Sequence, residues 1–124
     1  MRRDTIFVVA SIGKPLTAAP ALLLVEDGVL GLDGPVDRFL PELANHRVIR
    51  SLASPLDDTA RAARPITLHE LLTTRIGLDA AFADPATSPP LRRMAELELA
   101  PGPRLFGLRP DEFLRRLGTL PLVQ

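Results

Sequence analysis

Hydrophobic residues are concentrated near the start of the chain, where they form continuous runs instead of an alternating or helical pattern. Residues 5–9 are rich in β-branched and aromatic side chains, which is typical of a buried strand. Residues 11–27 have the length of a helix and are followed by Gly28, which suits a left-handed C-terminal cap. Because residues 22–25 are apolar on every face, we expect this helix to be buried on all sides. Pro20 lacks an amide hydrogen, so we expect a kink or a late helix start.

Turn residues are frequent after this helix. Three glycines in GVLGLDG, residues 28–34, have a spacing that favours turns over a dinucleotide-binding motif. Residues 35–40 are typical of one helical turn that begins with proline. Residues 44–65 are polar and interrupted by prolines, so they predict a long loop. Asp57 and Asp58 in that loop have no neighbouring base or metal ligand in sequence, which favours a solvated loop over a carboxylate site.

A clear local signal lies further along the chain. Thr67 and Glu70 have the spacing of a capping box, in which each side chain bonds the backbone amide of the other. Ile66 and Leu71 occupy the two positions of a hydrophobic staple. The sequence therefore predicts a short helix that starts after Thr67 and ends near Gly77.

The last third of the chain predicts two more helices, at residues 90–99 and 110–117, separated by a rigid Pro-Gly-Pro turn at residues 101–103. Arginine pairs occur in both helices, at residues 92–93 and 115–116. We interpret them as solvated faces rather than a binding patch.

Composition narrows the classes of function. The chain has 15 basic and 15 acidic residues, so it lacks the basic excess of proteins that bind nucleic acids or anionic membranes. It has no cysteine, which excludes disulfides and thiolate metal sites. The hydrophobic fraction of 46% is enough to form a core. His46 and His69 lack metal-ligand spacing, and we expect a surface position for His69.

The beginning of the chain has some features of a secretory signal peptide, with MRR before an apolar run and a small-residue site at residues 19–21. Asp4 and Lys14 interrupt that pattern. The apolar stretch at residues 15–25 is also shorter than the roughly 20 residues of a membrane span. We therefore expect no signal peptide and no membrane span, and the sequence favours a cytoplasmic location.

One pair of residues could carry out chemistry. Ser11 and Lys14 are three positions apart, so they face the same side of a helix. A neutral lysine amine can take the proton of a serine hydroxyl, and backbone amides at a helix start can stabilise a developing oxyanion. Lys14 is the sole lysine among the 15 basic residues, and an arginine could not deprotonate in its place. The alternative is structural, with an N-cap Ser11 beside a lysine that extends into solvent.

Two segments resemble a known family. Residues 4–43, DTIFVVASIGKPLTAAPALLLVEDGVLGLDGPVDRFLPEL, resemble the class C and esterase-like branch of the serine β-lactamase and penicillin-binding (DD-peptidase) superfamily. That branch has a strand, S-x-x-K-P, a buried helix that ends in E-x-G, and a turn L-x-L-D-x-P-V before L-P-E. Residues 64–78, RPITLHELLTTRIGL, are similar to the family segment I-T-x-x-x-L-L-T-H-T-S-G-L.

The resemblance implies a fold, a site and a reaction. The fold is α/β, an antiparallel sheet flanked by helices, of which this chain would be a mostly helical part with one N-terminal strand. Ser11 would be the acylated nucleophile and Lys14 its proton-transfer partner, with the Ser11 backbone N–H as one oxyanion donor. Substrates would be small esters, β-lactams or peptides that end in D-Ala-D-Ala. No metal or organic cofactor is implied.

The chain also departs from the family pattern. The family's second motif is Tyr-x-Asn, and this chain contains no tyrosine. It also lacks a Lys- or His-Thr/Ser-Gly triplet, and residues 74–76 replace the usual His-Thr-Ser. We therefore expect residues 1–124 to be a partial domain, without the family's N-terminal strands and C-terminal half, and inactive by itself. The alternative is a non-catalytic remnant or a helical module that binds a partner, and the oligomeric state stays open.

Overall fold

The computed structural model describes residues 2–51, 53–78, 84, 86–100 and 107–123. The chain divides into two compact units, Met1–Gly34 and Pro35–Gln124. Most regular structure is helical, and three short strands form one small mixed sheet. This mostly helical α/β architecture is the fold class that the sequence predicts. Among the described residues, no helix has both the length and the hydrophobicity needed to cross a bilayer.

The first unit is built on one helix. A 3₁₀ turn at Ala10–Ile12 leads directly into helix α1, Gly13–Glu26. Gly28 adopts a φ of 71° and ends the helix in the left-handed conformation, as predicted. The helix starts at Gly13 and continues through Pro20, so of the expected kink or late start, the late start is wrong. No side chain caps the start of this helix, so Ser11 is not its N-cap residue.

The predicted strand at residues 5–9 is wrong. These residues adopt no regular structure, and Ile6 and Val8 are 94% and 91% exposed. A strand is stabilised by pairing with a neighbour, and none of the three strands in the described residues pairs with this segment. High β-propensity alone therefore leaves the segment unpaired and without regular structure.

The expectation that α1 is buried on all sides is also wrong. The helix contains no buried residue, and Leu16, Leu22, Leu23 and Leu24 are exposed. Hydrophobic side chains become buried only where another apolar surface covers them. The apolar composition of α1 favours burial, but burial also requires a second apolar surface that covers the helix.

The second unit contains a sheet in the segment predicted as a long loop, which corrects that prediction. Strand β1, Arg47–Ile49, pairs antiparallel with β2, Thr59–Arg61, and parallel with β3, Leu122–Val123. The sheet order is β2-β1-β3. The residues between β1 and β2 remain a solvated loop, in which Asp58 forms an exposed ion pair with Arg50 at 3.1 Å.

The capping box is confirmed. Helix α2, Leu68–Leu72, begins after Thr67, whose hydroxyl accepts a hydrogen bond from the Glu70 amide at 3.3 Å. The Glu70 carboxylate accepts a hydrogen bond from the Thr67 amide at 3.0 Å and forms an ion pair with Arg64 at 2.6 Å. Burial raises the pKa of Glu70, but these hydrogen bonds and the charge of Arg64 outweigh it, so the pKa lies below its usual value. The helix ends at Leu72, earlier than predicted.

The turn before α2 is held by backbone bonds. Residues 35–40 form a turn in which the Leu40 amide donates to the Val36 carbonyl at 2.8 Å, without becoming a regular helix. Pro35 forms a bridge with Thr67 instead of starting a helical turn, and the Val36 amide donates to the Ile66 carbonyl. This part of the prediction is therefore right about the turn and wrong about the role of its proline.

Both predicted C-terminal helices are present, as α3, Pro89–Glu96, and α4, Pro110–Leu117. The predicted Pro-Gly-Pro turn lies outside the described residues. Arg115 and Arg116 on α4 bond Glu112, and these hydrogen bonds lower the pKa of Glu112 to about 2. Arg116 also reaches Glu98 at 2.9 Å, so this arginine pair is held by local carboxylates.

The hydrophobic core lies in the second unit. Its buried cluster joins the turn before α2, the loop after α3, the end of α4 and strand β3, through Val36, Leu43, Ile66, Leu99, Leu117, Leu120 and Leu122. Ile66 belongs to this cluster and Leu71 packs against it, so both residues of the predicted staple lie at the core. Helices α3 and α4 are amphipathic, so each turns one apolar face towards the core.

Candidate active site

The predicted serine and lysine lie side by side. Ser11 is the middle residue of the 3₁₀ turn, and Lys14 is the second residue of α1. The Lys14 Nζ atom donates a hydrogen bond to the Ser11 hydroxyl oxygen at 3.0 Å. The continuous 3₁₀-to-α path places the two side chains on one face, because residues three apart are neighbours on a helix. The geometry allows direct proton transfer between hydroxyl and amine.

The backbone before Ser11 is strained. Ala10 has a φ of 42°, in the left-handed region that non-glycine residues rarely adopt. Such strained residues often lie at functional sites, where the surrounding structure sets the direction of a neighbouring side chain. Ala10 is therefore a structural feature of this site that the sequence pattern did not reveal.

The Ser11 amide is free to bind a ligand. Within the described part of the chain, its N–H donates to no carbonyl, while the next two amides, of Ile12 and Gly13, bond Val9 and Ala10. Unpaired amides at a helix start carry partial positive charge and bind anionic oxygen. The 3₁₀ turn at Ala10–Ile12 thus sets the positions of both the amide and the hydroxyl of Ser11.

The site is open to solvent. Ser11 and Lys14 are both exposed. No acidic side chain of the described residues forms an ion pair with Lys14. The Lys14 amine instead donates its hydrogen bond to the Ser11 hydroxyl.

The histidines differ from each other. His69 is exposed, as predicted, whereas His46 is 7% exposed and its Nε2 atom has no hydrogen-bond partner in the described structure. Burial lowers the pKa of His46, which favours the neutral imidazole. Sequence spacing could not reveal this position, because burial of His46 depends on distant segments. Among the described residues, no group of three or more His, Asp or Glu side chains could hold a metal ion.

Comparison with known proteins identifies the family. The sequence model of the Beta-lactamase family matches residues 1–124. An uncharacterized protein of Mycobacterium tuberculosis strain CDC 1551 is 43% identical over 124 residues, 99% of this chain and 28% of that protein. Esterase EstB of Burkholderia gladioli is 38% identical over 122 residues, 98% of this chain and 27% of the esterase.

A third relative has a more specific name. Lovastatin esterase of Penicillium rubens is 44% identical over 86 residues, 67% of this chain and 21% of the esterase. The chain therefore spans between 21% and 28% of the length of these relatives. The match over all 124 residues agrees with the S-x-x-K segment and with the mostly helical α/β architecture, and we conclude that the chain belongs to the Beta-lactamase family, within a superfamily of serine hydrolases.

Proposed function

We propose that this chain carries the nucleophilic part of a serine hydrolase that cleaves ester bonds through an acyl-serine intermediate. Ser11 is the nucleophile and Lys14 is the proton-transfer partner. The observation that carries the proposal is the 3.0 Å hydrogen bond between the Lys14 amine and the Ser11 hydroxyl at the start of α1. The strained Ala10 and the unpaired Ser11 amide support it, because both act on the same reacting residue.

The reaction follows from these groups. In its deprotonated form, the Lys14 amine removes the proton of the Ser11 hydroxyl while the serine oxygen attacks the ester carbonyl carbon. The carbonyl oxygen becomes an oxyanion, and the Ser11 N–H donates a hydrogen bond to it. The C–O bond to the alcohol then breaks, and Lys14 returns the proton to the leaving alcohol oxygen. Water hydrolyses the acyl-serine by the same steps and releases the acid.

Esters are the favoured substrate class for two reasons. Two of the relatives reported above are named as esterases. An exposed site with one oxyanion donor is also better suited to an activated ester than to an amide, because an ester has a better leaving group and needs less stabilisation of the transition state. β-Lactams and peptides are the other substrates that the family resemblance implies.

We expect these 124 residues to be inactive in turnover by themselves. The family motif that supplies a tyrosine for proton transfer has no counterpart here, because the chain contains no tyrosine. Loss of one oxyanion donor lowers the rate about 10²–10³-fold in well-studied hydrolases. Acylation, which needs only the nucleophile, its base and one donor, is therefore the step to measure.

Intact-mass analysis tests the proposal. The chain is incubated with a fluorophosphonate and, separately, with p-nitrophenyl butyrate. We expect a single adduct on the native chain, none on Ser11→Ala and unchanged labelling of Ser51→Ala, a matched exposed serine in the second unit. Lys14→Arg preserves the positive charge but cannot accept the proton, so it is expected to slow labelling by about 10²-fold or more.

Two results would contradict the proposal. An adduct that persists in Ser11→Ala would place the reactive group elsewhere. Equal labelling rates for the native chain and Lys14→Arg would show that the lysine acts only through its charge. Far-UV circular dichroism of each variant checks that the helical content is retained.

A second candidate is a non-catalytic remnant that binds a protein partner through α1. The exposure of four leucines along this helix favours it. The absence of any adduct, combined with self-association of the chain that Leu23→Gln abolishes, would support this candidate over the enzyme. A monodisperse monomer that unfolds cooperatively would count against it.

A further inference from the structure

A buried histidine in the second unit has no partner for one of its ring atoms. His46 precedes β1, and its carbonyl accepts a hydrogen bond from the Ala62 amide at 3.0 Å, which holds the residue at the end of the β1–β2 ladder. The side chain is more than nine-tenths buried, and Nε2 has no hydrogen-bond partner in the described structure. Buried polar atoms are nearly always satisfied, so this ring nitrogen is a candidate to bond a ligand.

His46 lines a cavity of about 430 Å³ between the β1–β2 ladder and the turn at residues 35–40. Cavities of roughly 300–1,000 Å³ are large enough for small organic ligands. Two charged side chains in the wall have no ion-pair partner among the described residues, namely Asp37 on the turn and Arg61 at the end of β2. Arg61 makes one weak contact, to Asn45 Oδ1 at 3.5 Å.

The other charges at the two cavities that His46 borders differ in their partners. Arg64 also lines the first cavity, but its guanidinium forms the 2.6 Å ion pair with Glu70. The second cavity, of about 530 Å³, contains Asp57, which has no ion pair among the described residues, but its arginine, Arg47, bonds both the hydroxyl and the carbonyl of Thr59. In the first cavity, by contrast, an acid without an ion pair and an arginine with one weak contact occur together with the unsatisfied imidazole.

This combination specifies the chemistry of a ligand. A simple anion would bind Arg61 but would meet the negative charge of Asp37 in the same cavity. A simple cation would bind Asp37 but would meet the positive charge of Arg61. A molecule with one charge of each sign satisfies both walls, and a neutral imidazole can donate from Nε2 to the same carboxylate that Arg61 binds.

We propose that this cavity binds a small zwitterion with an ammonium and a carboxylate group, of the size of an amino acid or a dipeptide. Asp37 pairs with the ammonium, and Arg61 and the His46 Nε2–H bind the carboxylate. The site lies wholly in the second unit and is distinct from the serine and lysine of the first. It is therefore a separate binding site, and the proposal does not depend on the hydrolase activity.

Titration by two-dimensional ¹H–¹⁵N NMR tests the proposal on the whole chain. The probes are glycylglycine, acetate and methylammonium, each at the same ionic strength. We expect saturable shifts of the His46 ring signals and the Arg61 amide with glycylglycine, and binding of acetate and methylammonium that is about ten-fold weaker or more. Neutral N-acetylglycinamide serves as the uncharged control.

Variants locate the site. Asp37→Asn and Arg61→Gln each remove one charge from the cavity wall and are expected to weaken glycylglycine binding about ten-fold or more. Asp37→Asn is also expected to strengthen acetate binding, an effect that general loss of structure would not produce. The matched controls are Asp33→Asn and Arg75→Gln, exposed charges outside the cavity, which are expected to leave binding unchanged.

Three outcomes would overturn the proposal. The absence of saturable shifts with glycylglycine in the folded native chain would show that the cavity takes no zwitterion. Equal affinity for acetate and glycylglycine would show that Asp37 plays no part in recognition. Equal weakening by the cavity variants and their matched controls would show that binding depends on overall charge rather than on this site.

Discussion

The two units of the chain use their hydrophobic residues in opposite ways. Helix α1 is strongly apolar, yet it contains no buried residue. Helices α3 and α4 carry more charge, and each supplies or supports the buried core of the second unit. The difference shows that burial depends on a matching apolar surface and on a one-sided pattern, rather than on hydrophobic content.

Helix starts show the same contrast. Helix α2 begins with a capping box, in which Thr67 and Glu70 satisfy each other's backbone amides. Helix α1 has no side-chain cap, because its N-cap residue is Ile12, and the hydroxyl of Ser11 instead accepts a hydrogen bond from Lys14. One helix start thus uses its polar side chains for stability, and the other leaves them available for chemistry.

The largest expected effect comes from truncating a leucine in each unit. Leu122→Ala opens a cavity under a side chain that is 1% exposed, so it is expected to lower the free energy of unfolding by about 2–5 kcal/mol. Leu23→Ala removes a side chain that is 59% exposed, with an expected loss below about 0.5 kcal/mol. Urea unfolding followed by far-UV circular dichroism measures both. Equal losses would show that α1 is packed as tightly as the core.

Two glycines with positive φ form the next pair. Gly77 has a φ of 78°, and an added Cβ would overlap the carbonyl oxygen of Val123 in β3, so Gly77→Ala is expected to destabilise by about 1–3 kcal/mol. Gly28 has a φ of 71° with open space around the added Cβ, and only the backbone cost of about 1 kcal/mol is expected. Similar losses in the free energy of unfolding for the two variants would mean that β3 shifts away from the added methyl group at Gly77 at no cost in stability.

The helix starts give a smaller difference. Thr67→Ala removes the cap of α2 and is expected to lower the free energy of unfolding by about 0.5–2 kcal/mol. Ser11→Ala removes no cap, so its expected effect is within about 0.5 kcal/mol, although under the proposed function it is expected to abolish acylation. The same unfolding assay applies to both variants. A loss for Ser11→Ala as large as that for Thr67→Ala would assign a structural role to the serine.

Mild acid tests the second unit alone, because both histidines lie there. Burial lowers the pKa of His46 below its usual value of about 6.5, so below that pH the unfolded chain binds a proton that the folded chain does not. Stability is therefore expected to fall modestly as the pH drops from about 6.5 towards the lowered pKa. Urea unfolding at several pH values measures this slope.

Two variants serve as controls for the pH slope. His46→Asn is expected to flatten it, whereas His69→Asn, which replaces an exposed histidine, is expected to leave it unchanged. A slope that survives His46→Asn would assign the pH dependence to another group, such as a carboxylate whose titration extends upward from lower pH.

Local patterns predicted the elements that depend on local contacts. The capping box at Thr67, the left-handed Gly28 and helix α4 all rest on interactions within a few residues, so their sequence signals are sufficient. The serine and lysine were found in the same way, since three positions on a helix bring them together. The family resemblance added the role that such a pair plays.

Predictions that needed distant partners were wrong. Residues 5–9 have strand composition without a pairing strand, and residues 44–65 contain two strands without strand-like alternation. The pairing of Val48 with Leu122 joins positions far apart in the chain, and no local rule indicates it. The burial of His46 depends on the same distant segments.

The sequence by itself determined where the helices begin to within about two residues, and which serine and lysine lie together, because these features rest on short-range geometry. Tertiary structure alone decided which apolar residues are buried, which segments pair as strands and which polar groups line the cavity at His46. The physical reason is that hydrophobic burial and strand pairing need a complementary surface, and that surface is supplied by residues far away in the chain.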